Sequence, residues 1–253
     1  MTGLEHLAVL AAGLGAGVLT STVGVASLLS FPVLLAVGLP PVVANASNTV
    51  GLLPAGISGS YGYRAELRAH PRVAATVIAT CAVGAVAGAF LLLKLPPGVF
   101  EAVVPWLILL TCLLVGAQPP ISRWLARRRA ANTGPRHQMS PVTSAFSLLT
   151  GVYGGYFGAG SGVMMVAVLG LGTDLELRFV NALKTLAVMA SNLVATVIFL
   201  VVADLDWTAI LLLAGGSVVG GYVGARVGRR LPPTLFRSLI VIAGVVTAVV
   251  MLV

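Results

Sequence analysis

The sequence predicts an all-α polytopic membrane protein built from two inverted repeats. Each repeat is a broken, Gly-rich hairpin segment followed by three transmembrane helices. Three observations lead there. Hydrophobic residues make up 58% of the chain and charged residues only 9%, against roughly 25% charged in ordinary soluble domains. With so few polar residues the chain cannot cover a water-facing surface. Second, apolar runs of about 20 residues recur, the length a helix needs to cross the hydrocarbon core. A spanning segment must satisfy its own backbone, as a helix or a closed barrel, and alternating strand patterns are absent. Third, the chain repeats itself. Gly13, Gly17 and Gly24 recur at the same spacing as Gly151, Gly155 and Gly162. A polar cluster follows each block: Asn45-Ala46-Ser47-Asn48-Thr49, then Asn181-Ala182-Leu183-Lys184-Thr185.

The elements follow in order. Segment 1, Leu4 to Gly38, is too long for one crossing and carries glycines where a helix can break. Segment 2 runs from Pro41 to Tyr63, segment 3 from Val73 to Leu93 and segment 4 from Val99 to Ala117. A basic stretch with Arg123, Arg127, Arg128, Arg129 and Arg136 comes next. Segment 5, Pro141 to Gly172, is again long and Gly-rich. Segment 6 covers Phe179 to Ala203, segment 7 Trp207 to Ala225 and segment 8 Pro233 to Leu252. Pro32 and Pro54 fall inside spans and are expected to kink them. The organisation is thus a first transmembrane repeat over 1–117, a basic linker over 118–140 and a second repeat over 141–253.

Charge fixes the topology. If segments 1 and 5 each cross once, the basic residues divide almost evenly between the two sides. If each breaks and folds back, the two halves become inverted. All 15 Lys and Arg then lie on one side, except Lys94 and the intramembrane Lys184. The positive-inside rule prefers the second arrangement. It places the linker in the cytoplasm and both termini outside, in a multi-pass protein of the plasma membrane. Re-entrant hairpins and pairs of short full crossings have the same parity, so both stay open. The N-terminus lacks a basic n-region and a convincing cleavage site, so it is read as mature protein. The formal charge of +8 is explained by these loops and does not point to nucleic acid.

Two Gly-rich broken segments, two N-A-x-[NK]-T clusters and a length near 250 residues resemble the sulfite exporter TauE/SafE family of membrane permeases. The resemblance covers essentially the whole chain. It implies transport of sulfur oxyanions or organosulfonates such as sulfite, sulfoacetate or toluenesulfonate.

The residues themselves also point to an anion. Lys184 is the only Lys or Arg well inside a span, and no acidic residue lies near it in sequence. An ionisable group at that depth is costly and marks a functional site by default. The alternative is a lysine that snorkels to the cytoplasmic interface. Asn181, Lys184 and Thr185 share one helix face, as do Asn45, Asn48 and Thr49 in the first half. Amides and hydroxyls donate to oxyanion oxygens without adding charge, although they also bond helices to one another. The two clusters are expected to meet at one mid-membrane site. Breaks at Ser21, Thr22 and Gly24, and at Ser161 and Gly162, would add backbone N–H groups at half-helix N-termini. Ser191 and Asn192 lie two turns beyond Lys184 and extend the same path.

Other classes find less support. Cys81 and Cys112 fall inside spans, and His6, His70 and His137 sit in flanks or loops. No catalytic residue, metal ligand or cofactor is therefore expected. No Walker motif is present, so the leading reading is a secondary transporter, with a channel or a membrane enzyme as alternatives. The expected partners are a small anion and the lipid bilayer, with a homodimer left open. Single cysteines placed at Arg127 and at either terminus test the topology. A membrane-impermeant thiol reagent is expected to reach both termini from outside and Arg127 only from the cytoplasm; labelling of all three from one side would sink the inverted arrangement.

Overall fold

The computed structural model describes residues 3–22, 25–131, 138–227 and 233–252. Among them the secondary structure is entirely helical. The first segment is α1 (Gly3–Thr22) and α2 (Ser27–Ala36), with the break between them. Then come α3 (Pro41–Gly62), the short α4 (Arg64–Ala69), α5 (Pro71–Lys94) and α6 (Pro97–Ala131). The second half is α7 (Pro141–Tyr156), α8 (Ser161–Gly172), α9 (Leu177–Val202), α10 (Trp207–Val227) and α11 (Pro233–Leu252). Among the described residues four helices are long and apolar enough to cross a membrane: α1, α5, α6 and α9. Large apolar side chains stay exposed around the outside, among them Leu113, Val201 and Val250. In a bilayer these face lipid.

Starts and stops have local causes. Prolines at the first helical position begin α3, α5 and α7, where a missing N–H costs nothing. The Ser140 hydroxyl caps α7 by accepting from the Thr143 N–H at 3.1 Å. Gly38, at φ +86°, ends α2. There the N–H of Leu39 reaches back to the Leu34 carbonyl. One element differs from expectation. α6 runs on past Ala117 through Pro119 and Pro120 to Ala131, so the early part of the basic linker is helical. Tertiary contact overrides the prolines here, because the fully buried Leu125 packs against Gly170 of α8.

The two halves interlock through glycine. A Cβ on Gly13 would stand 2.9 Å from Cα of Leu213, and one on Gly220 2.9 Å from Cα of Leu14. Likewise a Cβ on Gly151 would stand 2.7 Å from Cα of Cys81, and one on Gly155 2.7 Å from Cα of Ala85. Backbones therefore touch at α1–α10 and at α5–α7, the small-residue contact that lipid favours. The first helix of each half packs on the penultimate helix of the other half. The α3–α10 and α9–α5 contacts, and those of α2 with α11 and α8 with α6, obey the same exchange.

Contact order gives helix direction. Gly13 meets Leu213 and Gly17 meets Ser217, so α1 and α10 run parallel. Gly151 meets Cys81 and Gly155 meets Ala85, so α5 and α7 run parallel. Ser47 meets Asp206 and Gly51 meets Leu213, which aligns α3 with α10. Gly56 meets Met189 and Gly59 meets Thr185, which turns α9 against α3. His70 stacks on Phe179 and Cys81 lies beside Ser191, which aligns α5 with α9. Hence α1, α3 and α10 point one way, and α5, α7 and α9 the other.

Gly155→Leu is expected to destabilise the protein by about 1–3 kcal/mol or more, because the side chain must displace backbone. Gly215→Leu, at a position with open space around it, is expected to be neutral. Thermal unfolding in detergent compares them; equal melting temperatures would remove the close contact as a source of stability.

Candidate functional site

The site lies where the two broken segments meet α3 and α9. At the second break α7 ends on Tyr156, and the N–H groups of Phe157 and Gly158 both turn back to the Tyr153 carbonyl. Gly158 at φ +79° and Gly160 at φ +75° make the reversal that a Cβ would strain. Three groups then fix the loop. The Tyr153 hydroxyl donates to the Ala159 carbonyl at 2.6 Å. The Thr111 hydroxyl lies 3.0 Å from the same oxygen and 2.8 Å from the Tyr153 hydroxyl. Tyr153 is therefore a clamp on the break. α8 starts at Ser161, where the N–H groups of Ser161 and Val163 bond back to the Gly158 and Gly160 carbonyls.

A small chamber of about 50 Å³ opens at this point. Thr20, Val25, Ala26 and Ser27 line it from the first break, and Gly158, Gly160 and Ser161 from the second. Leu52 and Gly56 of α3 and Lys184, Thr185, Val188 and Asn192 of α9 complete the wall. A second chamber of about 140 Å³ adjoins it. Its wall includes Ser58, Tyr63, Asn181, Lys184 and Thr185, and it lies toward the C-terminal end of α3. Lys184, Thr185 and Thr20 belong to both chambers. The sizes suit an ion or a few waters.

Lys184 is half-buried and lines both spaces. Among the described residues it has no carboxylate partner; the one ion pair near the same end of α9 joins Arg178 to Glu176 at 2.8 Å, and both are exposed. A cation without a carboxylate partner, beside hydroxyls, amides and a helix start, can chemically receive negative charge.

The sequence-derived residues divide. Asn181, Lys184, Thr185, Ser161 and Asn192 line the chambers. Gly162 is buried in the first turn of α8 next to that wall. Ser191 is buried against Gly154 of α7 and does not line either chamber. The side chains of Ser21 and Thr22, and Gly24 as a whole, lie outside the described residues. The first polar cluster sits elsewhere, contrary to the expectation of one shared site. The Asn45 amide donates to the Tyr156 carbonyl at 3.0 Å. The Ser30 hydroxyl donates to Asn48 Oδ1 at 2.5 Å. The Thr49 hydroxyl turns back on the Asn45 carbonyl at 3.0 Å. All three are buried, and none lines a chamber. Polar groups with partners inside the protein serve the packing of the bundle first.

Sequence reasoning missed Ser27, Ser58 and Tyr63. Ser27 could have been found as the first helical residue after the first break, a position that faces the break by construction. Ser58 and Tyr63 gave no signal, being ordinary small and aromatic residues near a helix end.

The comparisons agree with this picture. The family described as sulfite exporter TauE/SafE matches residues 9–251. A "Probable membrane transporter protein ORF9" of Sinorhizobium sp is 27% identical, over 92% of this chain and 87% of the relative. A "Probable membrane transporter protein" of Haemophilus influenzae is 26% identical, over 95% of this chain and 92% of the relative. No solved structure matches the chain. With a family match over nearly its whole length, on an all-helical bundle with spans long and apolar enough to cross a membrane, the chain belongs to the sulfite exporter TauE/SafE family of membrane transporters.

Proposed function

We propose that this protein is a secondary transporter of small anions, sulfite or organosulfonate-type sulfur oxyanions, in the plasma membrane. The single observation that carries the reading is Lys184, unpaired in a chamber that both halves line. The ammonium draws the anion. Asn181 and Asn192 offer amide donors around it; the Thr185 and Ser161 hydroxyls, which in this structure donate to the Asn181 and Gly158 carbonyls at 2.9 Å, would turn toward a bound anion, and the start of α8 adds its dipole. The family description supplies the sulfur oxyanion. A tetrahedral or pyramidal oxyanion matches a small chamber whose donors approach from several helices.

The opposed directions of α1, α3 and α10 against α5, α7 and α9 support an inverted repeat in the membrane. They agree with the charge count: Arg64, Arg68, Arg72 and Arg178 then fall on the cytoplasmic side, and the acidic Asp204–Asp206 loop falls outside. In this orientation the Tyr63 chamber lies toward the cytoplasm.

Flux of labelled sulfite and of an organosulfonate into proteoliposomes, with and without a pH gradient, tests the substrate class. Anion flux should be saturable; its absence for every sulfur oxyanion would defeat the proposal. Lys184→Ala is expected to abolish that flux while leaving the protein folded, because a half-buried ammonium without a carboxylate partner itself costs stability. Lys184→Arg should restore only part, since the planar fork needs other geometry. Thr185→Val should weaken affinity about ten- to hundredfold, the loss of one hydrogen bond to a charged ligand. Full transport by a well-expressed Lys184→Ala protein would return this residue to a snorkelling role.

A further inference from the structure

The asymmetry of the two polar clusters has a mechanical meaning. Asn45, Asn48 and Thr49 occupy the places in the first half that Asn181, Lys184 and Thr185 occupy in the second. In this structure the second trio stands open to the chambers, whereas the first is sealed. Position along the helices orders the layers. On α3 the chambers reach from Leu52 to Tyr63, and the sealed residues lie N-terminal to them. On the antiparallel α9 the chambers reach from Asn181 to Asn192, and the buried Ala195 and Phe199 lie beyond.

The seal has two parts. One is aromatic: Phe31 of α2 meets Phe157 edge-on at 5.4 Å, and Phe100 of α6 meets Tyr156 at 5.4 Å and Phe157 at 6.3 Å. Phe31, Phe100 and Phe157 are fully buried in one cluster with Phe199. The other part is polar and ties separate helices together. Asn45 holds the end of α7, Asn48 holds Ser30 of α2, and Ser47 accepts from the Asp206 N–H at the start of α10. These three bonds join α3 to both broken segments and to the opposite half.

We propose that Asn45, Ser47 and Asn48, with Phe31, Phe100 and Phe157, form the closed gate of the transporter on the side remote from Tyr63, and that this gate opens when the Asn181–Thr185 side closes. The proposal rests on the transport reading above. A pathway must be shut at one end while open at the other, and the repeat supplies two equivalent ends. The polar bonds suit a gate because their partners can exchange for water or for a passing anion at little net cost. The aromatic layer supplies the barrier to ions. Breaking one lock bond shifts the population toward the other state without touching Lys184.

The test reads accessibility, so it does not depend on the anion's identity. Val188 lines the inner chamber. In a protein with Cys81 and Cys112 replaced by Ala, a single Val188→Cys is expected to react with an impermeant thiol reagent from the Tyr63 side and scarcely from the other. Adding Asn45→Ala or Ser30→Ala should raise the far-side rate about two- to tenfold, the effect of one ordinary hydrogen bond on a two-state equilibrium. Unchanged far-side labelling in both variants, or fast far-side labelling in the parent, overturns the gate. A Ser30→Cys/Asn48→Cys pair gives a second measurement on an intact fold. Its oxidation should stop flux and its reduction restore it; undiminished flux by the oxidised protein overturns the gate. If far-side labelling rises as stated while Lys184→Ala leaves flux intact, the gate stands and the anion site fails.

Discussion

Helix backbones touch at two crossings, α1 on α10 and α5 on α7, and the rest of the molecule is arranged around those contacts. Water is not available to drive helices together within a bilayer, since lipid tails solvate Leu and Val as well as a protein core does. Close approach must supply the attraction instead. Gly13, Gly17, Gly216 and Gly220 permit it at one crossing, and Gly84, Gly88, Gly151 and Gly155 at the other. Each crossing joins one half of the chain to the other. Neither half is therefore a unit with its own interior, and the space left between the crossings belongs to both. α3 and α9 fill most of that space, and the two broken segments close it where their short helices meet.

Polar groups in this interior fall into two chemical conditions. Those of the first half are satisfied: Asn45, Asn48 and Thr49 each hold a protein partner. In the second half the Thr185 hydroxyl makes the matching bond to the Asn181 carbonyl at 2.9 Å, but the trio lines small voids, and one of its members is an ammonium. The first condition stabilises a fixed arrangement. The second leaves hydrogen-bonding capacity unspent, which is the physical basis of binding. Sequence symmetry between the halves thus coexists with different duties in any one conformation. The two clusters differ in charge at one matched position, Asn48 against Lys184.

Much of the fold could be read from the sequence, and the reasons are local. Gly158 and Gly160 break a helix because the backbone there needs positive φ, and glycine announces that need in the chain itself. The proline starts of α3, α5 and α7 are equally local. The site was half legible. Lys184 stands out because charge is rare in apolar sequence, and Asn181, Thr185 and Asn192 follow by helical spacing. The role of Asn45 was hidden, because its acceptor lies 111 residues away at Tyr156. The Ser47 bond to Asp206, 159 residues away, was hidden for the same reason. The passage of α6 through Pro119 and Pro120 depended on Leu125 finding Gly170, a contact that no local rule contains. Tyr153 packs against the core, and its hydroxyl also ties the break, a role that depends on where the chain turns beyond it.

The crossed pairing of helices sets a timetable for biogenesis. α5 finds α7 within the first two-thirds of translation. α1 has no glycine-faced partner until α10 has been made, about 200 residues later, which is roughly 10–40 s at ordinary synthesis rates. Through that interval its small-residue face must meet lipid, the translocation machinery or a stray helix. The α5–α7 crossing can then form before the α1–α10 crossing, although α1 is made first. A nascent chain cut short before Trp207 carries a first helix with no backbone to close upon, which makes that helix a handle by which membrane quality control can recognise unfinished copies.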